Sequence, residues 1–368
     1  MTHEDYMHLA IEEAVKGIGY TNPNPMVGAI IVKDGKIIGK GYHEKYGELH
    51  AERNAIASCQ ESMEGATIYV TLEPCCHYGK TPPCTEAIIE NKFSTVVIGS
   101  KDPNPLVAGK GIKQLEAHGI KVISGILEKE CDAINEVFFH FIQTKTPYVV
   151  MKYAMTADGK IAAYTGESKW ITGQKAREHV QTSRHRYSGI MVGIGTVLAD
   201  DPMLNCRILD GQNPTRIICD TSLRTPLTSK LVNTASSIPT YIATACDDVA
   251  KIQPYLEKGC KILSIPKKGN HIDLQILMTK LGEEKIDSIL LEGGAALNYS
   301  ALQSGIVNKV QTYIAPKLFG GETAKTPVGG QGIAHPDDAY FLENKHITLL
   351  DEDILIEWEV KKKCLPES

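Results

Sequence analysis

At 368 residues the chain is long for a single hydrophobic core and fits two domains, and a composition of 42% hydrophobic and 23% charged residues argues against disorder. A net charge of −5 gives no general attraction for polyanions, which sets nucleic acid aside as the main partner. Ten cysteines scattered from Cys59 to Cys364 do not form a small disulfide framework, so a reducing, cytoplasmic setting is expected; the acidic N-terminus is unlike a signal peptide, and no run of about eighteen apolar residues predicts a membrane span.

Along the chain, Tyr6-Met7, Leu9-Ala10 and Ala14-Val15 recur at helical spacing. Residues 27–32 read as a short strand, 33–36 as a turn and 37–39 as the start of a returning strand. A helix is predicted over 50–58 and a strand over 66–72; Thr85 is expected to cap a further helix, and 95–99 read as another strand. This order predicts an α/β sandwich around a mixed sheet. A boundary is predicted at Thr144-Lys145-Thr146-Pro147, where a helical run ending in Phe138-Phe139-His140-Phe141-Ile142 gives way to a strand at 148–151. The domains are thus 1–146 and 147–368. Further strands at 189–194, 215–219, 240–243, 262–265, 288–291 and 310–314 make the second domain α/β as well.

Chemistry concentrates in His50-Ala51-Glu52, Pro74-Cys75 and Cys84. A hydrolytic zinc site needs N and S donors, an open coordination position for water, and an ionisable group beside the metal that is not a ligand. His50, Cys75 and Cys84 supply the donors, and Glu52 can move protons between water and a ring nitrogen. Zinc-dependent nucleobase deaminases carry this logic as H-x-E followed by P-C-x-x-C. Here the cysteines are separated by Cys76-His77-Tyr78-Gly79-Lys80-Thr81-Pro82-Pro83, a loop that can still close on one metal because closure entropy grows slowly with length. The insertion brings a histidine, a tyrosine and a lysine to the rim, which suits a phosphorylated substrate. Side chains of adjacent residues in extended chain point opposite ways, so Cys76 is assigned to the pocket or to packing and not to the metal. His77 as a fourth ligand would close the site and leave Glu52 without a task.

In the second domain, Val192-Gly193-Ile194-Gly195-Thr196 and Glu292-Gly293-Gly294-Ala295-Ala296-Leu297 follow predicted strands. Glycine there lets backbone N–H groups approach phosphate, and a helix N-terminus adds a favourable field. Neither is a G-x-G-x-x-G fingerprint, and a tight structural turn explains them equally well. Arg184, Arg186, Arg207 and Arg216 are available cations, and Asp200-Asp201 before Pro202 reads as a solvated turn. The residues alone point to a small anionic ligand.

The blocks taken together resemble a known family. His50-Ala51-Glu52, Thr71-Leu72-Glu73-Pro74-Cys75, the loop to Cys84, Asp102-Pro103-Asn104-Pro105 and Val107-Ala108-Gly109-Lys110-Gly111 are similar to the deaminase half of the bifunctional riboflavin-biosynthesis deaminase-reductases. Lys152-x-Ala154-x-Thr156-x-Asp158-Gly159-Lys160, Ser168-Lys169-Trp170-Ile171-Thr172, the run from Gly195 to Pro202, Glu292-Gly293-Gly294 and Ala315-Pro316-Lys317-Leu318 resemble the reductase half. The match covers nearly the whole chain in one order.

The resemblance implies a cytidine-deaminase-like α/β/α domain with a mixed sheet, then a dihydrofolate-reductase-like α/β domain. It implies zinc on His50, Cys75 and Cys84, one ion per chain, with Glu52 as proton shuttle and Asn24, His77 and Lys80 lining the pocket. The implied substrate is 2,5-diamino-6-(5-phosphoribosylamino)pyrimidin-4(3H)-one, which is deaminated and then reduced by NADPH to 5-amino-6-(5-phosphoribitylamino)uracil. By position, Ala154, Trp170, Thr196, Asp200, Ser222 and the stretch Gly294, Ala295, Ala296, Leu297, Asn298, Tyr299 and Ser300 match the family's NADP site. Ser168, Arg184, Leu204, Arg207 and Glu292 match its substrate site; the arginines suit a 5′-phosphate and Glu292 suits sugar hydroxyls. Cys76 and Thr156 stand where serine is common. A homo-oligomer, dimer or tetramer, is expected, with no nucleic-acid or membrane partner. A tRNA adenosine deaminase would call for the two-residue cysteine spacing and a basic face, and this chain has neither. A zinc-stabilised nucleotide-binding regulator would release no ammonia.

Overall fold

The computed structural model describes residues 1–78, 82–104 and 107–361, and the chain divides into two compact units, Met1–Lys145 and a second beginning at Thr146. In the first unit the helix His3–Ala14 (α1) starts in a capping box, with the Thr2 hydroxyl and Asp5 carboxylate each satisfying the other's backbone N–H. The strands Gly28–Lys33 (β1) and Lys36–Tyr42 (β2) form a hairpin through Asp34 and Gly35, both at positive φ as a two-residue turn requires. Then come Ala51–Ser58 (α2), Thr67–Leu72 (β3), Cys84–Glu90 (α3), Thr95–Ser100 (β4), Lys110–Ala117 (α4), Lys121–Ser124 (β5), Glu128–Ile134 (α5) and Glu136–Thr144 (α6).

The sheet runs β2-β1-β3-β4-β5, antiparallel at β2-β1-β3 and parallel from β3 to β5. Alternation along β1 sorts the core: Ala29 and Ile31 pack with Ala51 and Ala55 of α2, Ile88 of α3 and Leu115 of α4, while Ile30 and Val32 pack with Tyr6, Met7 and Ala10 of α1 and Cys131 of α5. The result is the expected three-layered α/β/α arrangement. One contact fixes where α2 lies. A Cβ at Gly41 of β2 would meet the Ala55 nitrogen at 2.2 Å and the Ala51 oxygen at 2.7 Å, and one at Gly39 would meet the Ala55 oxygen at 2.6 Å. Only glycine lets the helix backbone settle onto the strand at this depth.

The second unit consists of Tyr148–Thr156 (β6), Gln174–Arg186 (α7), Gly189–Gly193 (β7), Ile194–Asp200 (α8), Thr215–Cys219 (β8), Lys230–Asn233 (α9), Thr240–Thr244 (β9), Val249–Glu257 (α10), Lys261–Ser264 (β10), the short pair Lys267–Lys268 (β11) and His271–Ile272 (β12), Leu274–Glu283 (α11), Ser288–Leu291 (β13), Ala295–Gln303 (α12), Val307–Ala315 (β14), Leu342–Leu350 (β15) and Asp353–Val360 (β16). Its sheet order is β10-β9-β8-β7-β13-β6-β14-β16-β15, parallel up to β14 and antiparallel beyond. Helices cover both faces. Leu277, Met278 and Leu281 of α11 and Ala301 and Leu302 of α12 lie against Val149, Met191, Ile217 and Leu291. On the other face Val197 of α8, Leu231 and Val232 of α9 and Tyr255 of α10 meet Ile190, Val192, Ile218 and Ile242, while Ala176 and Val180 of α7 meet Tyr313 and Leu355.

Three expectations change. The hairpin β15–β16 is absent from the sequence reading, because β15 is mostly exposed and carries little alternation. Thr85 is not a cap: α3 has Pro83 at its N-cap position, and the Thr85 hydroxyl donates to the Cys75 carbonyl and to Gln114. Arg216 is not an available cation but fully buried (0% exposed). Its guanidinium donates to Thr240, Thr234, Met203, Leu231 and Ile238, all neutral oxygens, and burial lowers its pKa to about 10.

Candidate active sites

In the first unit the end of β2, the start of α2 and the loop from β3 to α3 converge. His50 is the N-cap of α2 in extended conformation (φ −75°, ψ 162°), which turns its ring off the helix while Glu52 enters the first turn, 3% exposed. The His50 Nδ1 lies 3.4 Å from the Cys75 sulfur and 3.5 Å from the Cys84 sulfur, and the ligating atoms of the three residues lie within 4.8 Å of one another. Two sulfurs and one imidazole nitrogen at this separation suit tetrahedral zinc with one position left over. His77 does not join the cluster; its Nδ1 is buried without a hydrogen-bond partner among the described residues. Lys80 lies outside the described residues.

The electrostatics match that donor set. The Cys84 thiol hydrogen-bonds to Cys75, which together with His50 brings the Cys75 thiol down to about 4 against the effect of burial. The same hydrogen bond and burial push the Cys84 thiol up. Burial also raises the Glu52 carboxyl, with the Cys75 sulfur adding to the effect. Glu52 is therefore a stronger proton acceptor than an exposed carboxylate.

Sequence reasoning gave no role to three neighbours. His43, after β2, donates from Nδ1 to the Leu49 carbonyl at 3.0 Å, which leaves Nε2 to accept from the Asn24 amide at 3.1 Å. Burial lowers its pKa, and its ring meets His50 edge-on at 5.5 Å between centroids. Asn24 is thus oriented by a neutral histidine. Asp102, at the end of β4, is driven up to about 6 by burial while its Oδ1 accepts the Asn104 N–H at 2.8 Å. Glu73 accepts the N–H groups of Gly109 and Ile112 at 3.0 and 3.3 Å and so holds the start of α4. Glu73 and Asp102 lie in the blocks Thr71–Cys75 and Asp102–Pro105 that carry the resemblance, which marks the blocks without telling what either carboxylate holds, and His43 lies in no such block.

In the second unit the predicted residues gather at the carboxyl ends of the parallel strands. Gly294 is the N-cap of α12, and a Cβ there would stand 3.8 Å from the Thr196 hydroxyl in the first turn of α8. The turns after β13 and β7 thus come together, and the free N–H groups of α12 beside the Thr196 hydroxyl fit a pyrophosphate. Within 294–300, Ala296 is exposed, Leu297 packs near Gly193 and Gly293, and Ser300 is half-buried. Asn298 is buried: its amide donates to the Pro327 carbonyl and its Oδ1 has no partner among the described residues. The Tyr299 hydroxyl donates to the Gly332 carbonyl. These two side chains hold the 327–332 segment. Asp200 is exposed at the far end of α8 from Thr196. Trp170 is 63% exposed, with the Arg177 guanidinium 4.8 Å from its ring and Lys317 donating to its carbonyl.

Glu292, at the end of β13, accepts from Arg184 Nε at 2.8 Å and Nη2 at 3.1 Å, and Lys152 Nζ lies 3.7 Å away. Burial alone would raise the Glu292 carboxyl, but Arg184 and Lys152 bring it down to about 2. Burial lowers the Lys152 pKa against the pull of Glu292. Arg184 also donates to the Asn205 carbonyl at 3.1 Å, beside Leu204, which is buried at φ +50°. Arg184 is therefore engaged in orienting Glu292 and the 204–207 loop, whereas the Arg207 side chain is exposed, its N–H held by Gln181. Ser168 and Ala154 are half-buried.

Comparison with known proteins gives a family for each unit. A family model described as the cytidine and deoxycytidylate deaminase zinc-binding region matches residues 1–100, and one described as the RibD C-terminal domain matches residues 147–356. The riboflavin biosynthesis protein RibD of Actinobacillus pleuropneumoniae is 58% identical over 360 residues, covering 98% of this chain and 96% of that one. The protein of that name from Escherichia coli K12 is 38% identical over 362 residues, covering 94% and 97%. Among solved structures, a diaminohydroxyphosphoribosylaminopyrimidine deaminase/5-amino-6-(5-phosphoribosylamino)uracil reductase from Thermotoga maritima superposes with TM-score 0.87 at 38% identity over 98% of this chain and 99% of its own. Acinetobacter baumannii RibD (form 1) gives 0.88 at 37% over the same shares.

Fold and site together define a bifunctional enzyme, a zinc-binding hydrolytic deaminase followed by a reductase. The chain belongs to the RibD family of riboflavin biosynthesis proteins. Among the described residues no helix is long and apolar enough to cross a membrane.

Proposed function

We propose that residues 1–146 deaminate 2,5-diamino-6-(5-phosphoribosylamino)pyrimidin-4(3H)-one and that residues 147–368 reduce the product with NADPH to 5-amino-6-(5-phosphoribitylamino)uracil. The observation that carries the first step is the buried Glu52 carboxyl beside the cluster of His50, Cys75 and Cys84. Those three residues would hold one zinc ion per chain; when bound it supplies an acidified water as nucleophile. Glu52 takes a proton from that water and passes protons to the ring nitrogen and to the departing amine, so that C–NH2 and water become C=O and ammonia. Asn24, oriented by His43, offers its carbonyl oxygen to ring N–H groups, and His77 lines the same pocket.

For the second step, the fit of Gly294 to Thr196 supports a dinucleotide, with Ala154, Trp170, Asp200, Ser222 and 295–300 completing its site. NADPH supplies the hydride that the C1′ of the ring-opened sugar receives. Glu292, kept ionised by Arg184 and Lys152, accepts from sugar hydroxyls, while Arg207, with Ser168 and Leu204 beside the chain of the sugar, meets the 5′-phosphate. The edge strand β15, with Leu342, Ile347 and Leu349 exposed, supports a homo-oligomer, dimer or tetramer, and a cytoplasmic setting suits the described cysteines, which form no disulfide.

The test is incubation of zinc-loaded protein with the diaminopyrimidinone, with and without NADPH, following ammonia and NADPH together. Chelator-sensitive ammonia release that precedes NADPH oxidation is the expected result. Ammonia without oxidation would remove the reductase assignment, and silence in both channels would remove both.

A further inference from the structure

The segment that carries Asn24 is poorly equipped to hold itself. Within 22–26, Pro23 and Pro25 have no N–H, so only Asn22, Asn24 and Met26 can donate from the main chain, and all five residues are no more than half-buried. The Asn24 N–H donates to the Thr21 carbonyl at 2.8 Å, which closes one turn. The next fixed point is Met26. Its N–H donates to the Asn135 Oδ1 at 2.8 Å, and the Asn135 Nδ2 donates to its carbonyl at 2.9 Å. A single side-chain amide thus occupies both main-chain groups of one residue, as a residue of a neighbouring strand would. Beyond this point the sheet takes over: the Val27 carbonyl accepts the His43 N–H at 2.9 Å, and the Gly28 N–H donates to the Thr71 hydroxyl at 3.2 Å.

Asn135 is itself a fixed post. It is 1% exposed between α5 and α6, where its N–H donates to the Asp132 carbonyl at 2.9 Å and its carbonyl accepts the Phe139 N–H at 3.0 Å. The helix before it is tied to the sheet: the Ser100 hydroxyl, at the end of β4, bonds with the Asp132 carboxylate and the Glu128 carbonyl, and Cys131 packs with Met7, Ile30 and Val97. Two supports therefore act on Asn24 in different ways. His43 orients its side-chain amide, whereas Asn135, joined to Met26 across 109 positions of sequence, sets where the main chain that bears it lies. Placement matters at this scale, because an error of about 1 Å in a binding group can cost on the order of a hundredfold in turnover. We infer that Asn135 is a positioning residue of the deaminase site, acting on the pyrimidine through Asn24. This rests on the reading of the first unit as a deaminase with Asn24 in its pocket.

The test is a double-mutant cycle on the full-length, zinc-loaded protein, with steady-state ammonia release and zinc content measured for wild type, Asn24→Ala, Asn135→Ala, Asn135→Asp and the double variant Asn24→Ala/Asn135→Ala. Asn135→Ala should raise KM roughly tenfold with kcat changed less than about threefold, while zinc stays at the wild-type level. Asn135→Asp keeps the acceptor for the Met26 N–H and should lie between. The double variant should be no worse than Asn24→Ala alone, because nothing is then left to position; a residue that merely stabilises the fold would give losses that multiply. If Asn135→Ala does not fold, the cycle is run with Asn135→Asp. An unchanged KM, multiplying losses, or zinc lost from both variants at position 135 would overturn the inference, as would a wild-type KM in Asn24→Ala. A wild type that releases no ammonia would instead sink the deaminase reading and this one with it.

Discussion

The backbone N–H of Cys84 donates to the sulfur of Cys75 across 3.3 Å, so one candidate ligand is held by the main chain of the other. The eight-residue insertion between them therefore leaves their mutual geometry in the hands of α3. Cys75→Ser removes both a thiolate and the acceptor of that N–H. Zinc content should fall well below one per chain and ammonia release should vanish. NADPH oxidation on substrate that has already been deaminated should persist. Metal analysis with the two assays run separately checks this, and a full complement of zinc in the variant would contradict the ligand assignment.

Glu52→Gln keeps the size and burial of the side chain but cannot carry a proton. Zinc should remain bound while kcat for ammonia release drops by roughly 10²–10⁴. Turnover near the wild-type rate would mean that another group moves the protons.

The buried group of Glu292, Arg184 and Lys152 gives a signed prediction in acid. The Glu292 carboxyl is depressed from 4.5 to about 2 in the folded chain, so between those values the unfolded chain binds more protons and stability rises with pH. The contribution is complete above about pH 4.5 and is lost as pH falls through about 2. Glu292→Gln leaves two cations buried without their counter-charge and should cost about 3 kcal/mol at neutral pH. Chemical unfolding from pH 2 to 7 should show the wild-type slope flattened in the variant; parallel curves would mean that the group adds nothing.

His43→Phe keeps the volume of the ring but frees the Asn24 amide. Loss of one neutral hydrogen bond is worth about 1 kcal/mol, so KM of the deaminase step should rise by somewhat less than tenfold with kcat changed less. Steady-state kinetics of ammonia release measures the split, and an unchanged KM would show that Asn24 does not contact the substrate through this arrangement.

Much of this was legible in the sequence because the informative residues sit close together in it. His50, Cys75 and Cys84 fall within one α-β-α segment, from the N-cap of α2 to the first turn of α3, and the glycines at 193, 293 and 294 lie at the ends of runs whose apolar pattern marks them as strands. What was not legible depends on partners far apart in sequence. Nothing local distinguishes Arg216, whose acceptors reach it from 203, 231, 234, 238 and 240, from a solvated arginine. Thr85 looks like a cap until the Cys75 carbonyl captures its hydroxyl. The hydrogen bond from the Asn298 amide to the Pro327 carbonyl joins residues 29 apart and has no local signal. The edge strand β15 shows little alternation because most of it is exposed, with only Thr348 and Leu350 half-buried.

The seating of α2 on Gly39 and Gly41 bears on how this enzyme can diverge. With helix backbone at Cβ distance from alternate residues of β2, the strand's inward register is closed to every side chain, while Lys40 between them is exposed and free to vary. Drift in the deaminase unit is thus channelled to one parity of the strand. An insertion of a single residue in β2 would bring Lys40 under the helix and lift His50 and Glu52 away from the cysteines, so the length of this strand is constrained as tightly as the ligands themselves.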